Sequence, residues 1–207
     1  MNLLGLLESG LFALGQLLRF PVVVLLWVSV AVTLYLAGKV LVEVVARRRD
    51  HAGFDIGRWL EEGAVQDADE ARRARLPLAP RRLLEEFRAA HAAGQPRRPG
   101  VLEHLVAQHD ERLRAGLTAP RALVRIGPSL GLLGTLIPMG SSLAALASGN
   151  LQAMAGQMVV AFTSTIVGLA TGTAAYALLT VRTGWVNQAV REQRYIAERL
   201  AAEHPEG

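Results

Sequence analysis

The sequence predicts an all-α membrane protein with three transmembrane helices, and three observations carry that prediction. Residues 126–181, a run of 56, contain no Asp, Glu, Lys, Arg or His. Between residues 21 and 46 the only charges are Lys39 and Glu43. The charge missing from those stretches is concentrated in residues 47–125, which hold 16 of the 22 Lys and Arg and 12 of the 18 Asp and Glu. A soluble helix carries charge along its wet face. Segregation of charge by segment is the pattern a bilayer imposes.

Residues 1–19 open the chain with an apolar stretch interrupted by Glu8 and Gln16, and Leu3, Leu7, Leu11, Leu14 and Leu18 fall on one helical face. This reads as an amphipathic helix lying in the membrane interface. It has neither the basic leader nor the small-residue cleavage pattern of a signal peptide. Residues 20–46 form the first span, with Pro21 tolerated in a first turn where its missing N–H has no partner to lose. A crossing needs about 20 apolar residues. The uncharged run of residues 126–181 is too long for one helix and fits two, with the turn at Ser148, Gly149 and Asn150. The second span is therefore set at residues 121–147 and the third at 153–182.

Basic residues flank these spans on one side. Arg47, Arg48 and Arg49 follow the first, Arg121 and Arg125 precede the second, and Arg182, Arg191 and Arg194 follow the third. The positive-inside rule places that side in the cytoplasm, giving an N-out, C-in topology. Residues 47–120 then form a cytoplasmic helical insertion. Within it, Leu83, Leu84, Phe87 and Ala90 share helical spacing, as do Leu102, Leu105, Val106 and Leu113, with a Pro- and Gly-containing loop at residues 95–100 between them. Two such short amphipathic helices need an external surface to pack on, either extended transmembrane helices or neighbouring subunits. Residues 183–207 form a cytoplasmic C-terminal helix and tail.

The net charge of +4 follows from these flanking arginines and does not call for nucleic acid. There is no cysteine, and the five histidines lie outside the apolar segments. Their spacing suggests solvated or locally packed side chains, so no metal or other cofactor is expected. No catalytic constellation faces the bilayer, and the chain is not expected to be an enzyme.

The second and third spans each carry a stripe of small and hydroxylated residues. In the second, Gly127, Gly131, Thr135, Pro138 and Ser142 recur at helical spacing, with Gly134 and Ser141 beside them. In the third, Ala161, Thr165, Gly168 and Gly172 do so, with Ser164 and Thr171 adjacent. Small residues allow membrane helices to approach closely, and hydroxyls can bond across them. Thr135 and Thr165 could equally line a narrow, partly hydrated passage, and Pro138 frees the carbonyl of Gly134 beside Thr135. Composition leaves both readings open. There is no carboxylate between Arg112 and Arg191. Proton relays in membranes use a titratable group, so a proton pathway here would need one supplied by another chain.

Two motifs resemble the MotA/TolQ/ExbB family of stator subunits. Gly131-Leu132-Leu133-Gly134-Thr135, with Pro128 in register, is similar to the family's Pro-Leu-Leu-Gly-Leu-Leu-Gly-Thr pattern. Ala161-Phe162-Thr163-Ser164-Thr165-Ile166-Val167-Gly168-Leu169 is similar to its Ala-Leu-x-x-Thr-x-x-Gly-Leu signature. The chain departs from the pattern at Leu136-Ile137-Pro138-Met139, where a family glycine is missing, and at Thr173-Ala174-Ala175, which has no proline. Size and topology resemble the ExbB/TolQ branch most.

The resemblance implies a proton-channel subunit of an ion-driven motor in the bacterial inner membrane. It implies a homopentamer around a dimer of ExbD/TolR/MotB-like single-span subunits that bring a transmembrane Asp, and a proton as the translocated ion. Thr135 and Thr165, with Ser164, would then line the ion pathway. Gly127, Gly131, Gly134, Pro138, Ser142, Gly168 and Gly172 would pack the partner helix or subunits. The alternative is a structural membrane scaffold without ion conduction. Substituting either threonine by Val discriminates the two, whereas Gly168→Leu disrupts assembly under both.

Overall fold

A computed structural model describes residues 3–50, 56–63, 65, 69–92 and 101–203. The described residues are all helical or in turns: α1 (Leu3–Asp50), α2 (Ile56–Glu61), α3 (Glu70–Ala74), α4 (Leu78–Ala92), α5 (Val101–Ala115), α6 (Thr118–Ala147) and α7 (Leu151–Glu203). Three helical stretches are long and apolar enough to cross a membrane: Ala13–Arg47, Leu102–Ala147 and Leu151–Ala202. The chain is a multi-pass membrane protein.

The helices are longer than the segments read from sequence. α1 runs through Pro21 without a break, so Pro21 lies inside the helix and not in its first turn, and residues 3–19 are not set apart as a separate helix. The apolar sequence on both sides favours continuation, and the cost is the one backbone bond that Pro21 cannot donate. Likewise α7 continues through residues 182 and 183 for 53 residues in all, well beyond the ~20 of one crossing. The expected C-terminal helix is an extension of the third. The loop expected at residues 95–100 lies outside the described residues.

The chain divides into two compact units. The first comprises residues 1–39 and 119–179. In it α1 meets α6 and α7 through Val22, Leu26 and Leu130, flanked by Ile137 and Val167, and through Leu36, Leu123 and Ala175, flanked by Val32, Val124 and Leu178. The two buried hydroxyls of α1 are satisfied locally: Ser29 donates to Leu26 O at 2.7 Å and Thr33 to Ser29 O at 2.8 Å. Back-bonding of this kind lets a polar side chain sit at an apolar contact.

The turn from α6 to α7 is closed by backbone geometry. Gly149 adopts φ 75°, a left-handed conformation that glycine enters without a Cβ penalty. Gly149 N–H donates to Leu146 O and Asn150 N–H to Ala145 O, both at 2.9 Å. These two bonds cap the carbonyls at the end of α6 as a Schellman motif. The Asn150 side chain then accepts from Ala153 N–H at 3.0 Å and caps the start of α7.

The second unit comprises residues 40–118 and 180–207. Its core joins Trp59, Leu60, Val65, Leu76 and Leu84 to Ile196 and Leu200 of α7, with Ile56, Phe87 and Leu102 packed around them. The amphipathic segments of the insertion thus bury their apolar faces on the extension of the third span, one of the two surfaces the sequence called for.

Candidate functional site

The α6–α7 contact in the first unit is a seam of backbone against backbone. A methyl group placed on Gly168 would lie 2.6 Å from Gly131 Cα and 2.7 Å from Gly127 O. One placed on Gly131 would lie 3.1 Å from Gly168 Cα, and one on Gly172 would lie 2.7 Å from the Pro128 ring. Only glycine permits this approach, because the opposing atoms are main chain or a rigid ring. The seam continues toward the α6–α7 turn through Gly134, where an added methyl would meet Ser164 Cβ at 2.7 Å. Gly127, Gly131, Gly134, Pro138 and Ser142 are all buried on α6, as are Ala161, Ser164, Gly168, Thr171, Gly172 and Ala175 on α7.

The seam departs from the stripes read in the sequence at one position on each helix. The seam passes through Gly134 and Ser164, while Thr135 and Thr165 are half-buried at its margin. Each threonine directly follows one member of the Gly134–Ser164 contact. Ser164 is occupied with packing, and its hydroxyl donates to Val160 O at 2.9 Å.

The hydroxyls of the two spans differ in how they are used. Ser129, Thr135, Thr163 and Thr171 each donate to a carbonyl three or four residues back, at 2.7 to 2.9 Å. Ser142 donates across the helix pair to Met154 O at 3.2 Å. Among the described residues Thr165 and the exposed Thr173 make no such bond. Thr165 is therefore the one half-buried hydroxyl beside the seam with its donor uncommitted. The neighbouring carbonyls do not engage it, and a hydroxyl in that state can donate to an incoming acceptor.

A polar contact that sequence reasoning missed lies further along the same helix pair. Ser141 Oγ is 2.5 Å from Gln157 Oε1 and 2.9 Å from Pro138 O. At 2.5 Å the contact with Gln157 falls in the O–H···O range, so the Ser141 hydroxyl donates to the Gln157 amide oxygen, with Pro138 O as the more distant acceptor. Gln157 is eight residues, about two turns, from Thr165. The signal in the sequence was a lone Gln within the third span.

The second unit contains a polar network centred on His109. His109 is buried; its Nε2 lies 2.9 Å from Glu86 Oε2 and its Nδ1 3.3 Å from Gln193 Nε2. Gln193, fully buried, also donates to Ala79 O at 3.0 Å, so both its amide hydrogens are used. Its Oε1 is buried without a partner. The hydrogen bond from His109 Nε2–H holds the Glu86 carboxyl below its ordinary value of 4.5 against the opposing effect of burial, with the Arg112 guanidinium assisting. Next to this group, Arg194 pairs with Asp110 at 3.0 Å, leaving Asp110 Oδ1 buried and unpartnered. The sequence reads the histidines as solvated or locally packed. His109 is locally packed, and its partners are 23 and 84 residues away in sequence.

Among the described residues no group of His, Cys, Asp and Glu is arranged to hold a metal ion. The seam itself carries no titratable side chain. What it can do chemically is present an uncharged, closely packed surface with one free hydroxyl beside it.

A family profile described as the MotA/TolQ/ExbB proton channel family matches residues 81–194. The match takes in α4, α5, both seam helices and most of the α7 extension, more than half of the chain. No curated protein matches the chain.

Proposed function

The chain belongs to the MotA/TolQ/ExbB proton channel family, and we propose that it is the channel and stator subunit of a proton-driven membrane motor. In this reading it forms a homopentamer around a dimer of ExbD/TolR-like single-span subunits in the bacterial inner membrane. Its topology is N-out, C-in, with the start of α1 on the outer side. The partner brings the titrating Asp, since this chain has no carboxylate between Arg112 and Arg191. Thr165 is the hydroxyl that meets that carboxylate, and Thr135 lines the same path one helix away with Ser164 packed behind.

The observation that supports this reading best is the uncommitted hydroxyl of Thr165. Close packing accounts for Gly127, Gly131, Gly134, Pro138, Ser142, Gly168 and Gly172, and so fits a scaffold as well as a channel. It does not account for a threonine whose hydroxyl is left unused where its neighbours bond to their own helix. A proton crossing a potential of 100 mV releases about 2.3 kcal/mol. Converting that to motion requires a site that holds the carboxylate in some subunit positions and releases it in others. A single hydroxyl on a neutral surface meets that need, whereas a fixed charge would trap the partner.

The experiment is Thr165→Val, which keeps the shape and removes the donor, beside Thr165→Ser, which keeps the donor. Assembly should be unchanged in both, with proton-dependent work lost in the first and retained in the second. Full activity of Thr165→Val would favour the scaffold.

A further inference from the structure

The second unit contains an open cleft of about 940 Å³ lined by seven arginines and four glutamates. Three of the carboxylates are committed. Glu43 pairs with Arg47 at 3.1 Å, Glu62 with Arg75 at 3.0 Å, and Glu86 with His109 and Arg112. The fourth, Glu192, accepts from Gln188 at 2.8 Å. Arg81 pairs with Glu85 at 2.8 Å. Three guanidinium groups on the cleft wall remain without a carboxylate among the described residues. Among the described residues the exposed Arg58 and Arg82 side chains make no bond, and Arg182 donates to the neutral Gly116 O alone, at 3.3 Å.

We propose that this cleft is a binding site for a phosphate-bearing anion. Guanidinium groups present planar donor forks that match phosphate oxygens, and three unpaired forks on one concave wall form such a receptor. The chain positions of the lining favour a lipid headgroup as the source of the phosphate. Arg47 and Arg182 are the first arginines after the first and third spans. Arg47 lies over the Trp185 ring at 4.9 Å from its centroid, and Trp is enriched at the headgroup level, with Arg in excess on the cytoplasmic side. Basic pockets at the cytoplasmic ends of membrane helices bind anionic headgroups in this way. The site does not depend on ion conduction or on Thr165.

The test uses the intact protein purified in neutral detergent, with native mass spectrometry to count bound phosphatidylglycerol against phosphatidylcholine. Inorganic pyrophosphate serves as the soluble competitor. Arg58→Gln with Arg82→Gln removes two forks that hold no part of the fold together. Arg191→Gln with Arg199→Gln, outside the cleft, makes the same change in net charge. Phosphatidylglycerol should bind saturably, roughly tenfold or more weakly to the cleft variant, and equally well to the charge-matched control. Failure of pyrophosphate to compete assigns the phosphate to lipid. Competition that is lost in the cleft variant assigns the same site to a soluble phosphoester. Equal binding by the cleft variant and the unaltered protein, equal loss in the control, or equal binding of phosphatidylcholine would overturn the proposal.

Discussion

The two units are held together by opposite means. The α6–α7 seam of the first uses no charged group, and its glycines bring main chain against main chain. The second unit is pinned through His109, Glu86, Gln193, Asp110 and Arg194, a polar network with two buried oxygen atoms left unpartnered. The difference follows from solvent. In lipid, an unpaired charge is expensive and shape must do the holding. Where water is at hand, charged groups can lock helices at the expense of sensitivity to pH. The seam should therefore tolerate acid and fail on added bulk, and the network should do the reverse.

Added bulk gives the largest expected effect. Gly168→Leu places a side chain where a single methyl already meets Gly131 Cα at 2.6 Å. Helix pairing should weaken by at least about 3 kcal/mol, read as loss of the assembled complex in size-exclusion chromatography. The paired control, Gly156→Leu, has open space around it and should assemble normally. Equal behaviour of the two would break the account of the seam.

Next is the core of the second unit. Leu84, fully buried with Ile196 and Leu200, should lose about 2–5 kcal/mol on Leu84→Ala. A lowered midpoint of thermal unfolding would show this, and an unchanged midpoint would mean that the insertion does not pack on α7.

Acid sharpens the comparison further. The folded-state pKa of Glu86 lies below its ordinary value of 4.5, so the stability it contributes is present above 4.5 and is lost as pH falls through the lowered folded value. The effect is small because the carboxylate is partly exposed and screened by water. Glu86→Gln should flatten the acid limb of a stability profile measured from pH 7 down to about 3. It should leave the response of Gly168→Leu untouched. The smallest expected effect is that of Thr135→Val on proton-driven activity, since the Thr135 hydroxyl is already engaged with Leu132 O at 2.7 Å.

Much of this was legible in the residues. The charge-free run of residues 126–181 and the turn at Ser148, Gly149 and Asn150 placed the two seam helices, and Gly127, Gly131, Gly168 and Gly172 marked the contact by spacing alone. The register between those glycines was not legible. A helix of 3.6 residues per turn can be followed in steps of three or four. Stepping from Gly131 to Thr135 is as regular as stepping to Gly134, and only the packing chooses. The same ambiguity put Thr165 on the stripe between Ala161 and Gly168 in the sequence, where the seam uses Ser164. Pro21 reads as the start of the first span because a first turn tolerates its missing N–H, yet apolar sequence on both sides carries α1 through it. The His109 network could not have been found by periodicity, because Glu86 and Gln193 reach it from helices distant in sequence.

The central claim is that the Thr165 hydroxyl serves a carboxylate arriving on another chain. The most direct measurement is proton uptake, driven by a membrane potential, into vesicles that hold the complex purified through a tag on this chain. Unaltered protein and Thr165→Ser should take up protons at comparable rates, with Thr165→Val, equally assembled, close to the rate of empty vesicles. Uptake by Thr165→Val at the unaltered rate would contradict the account.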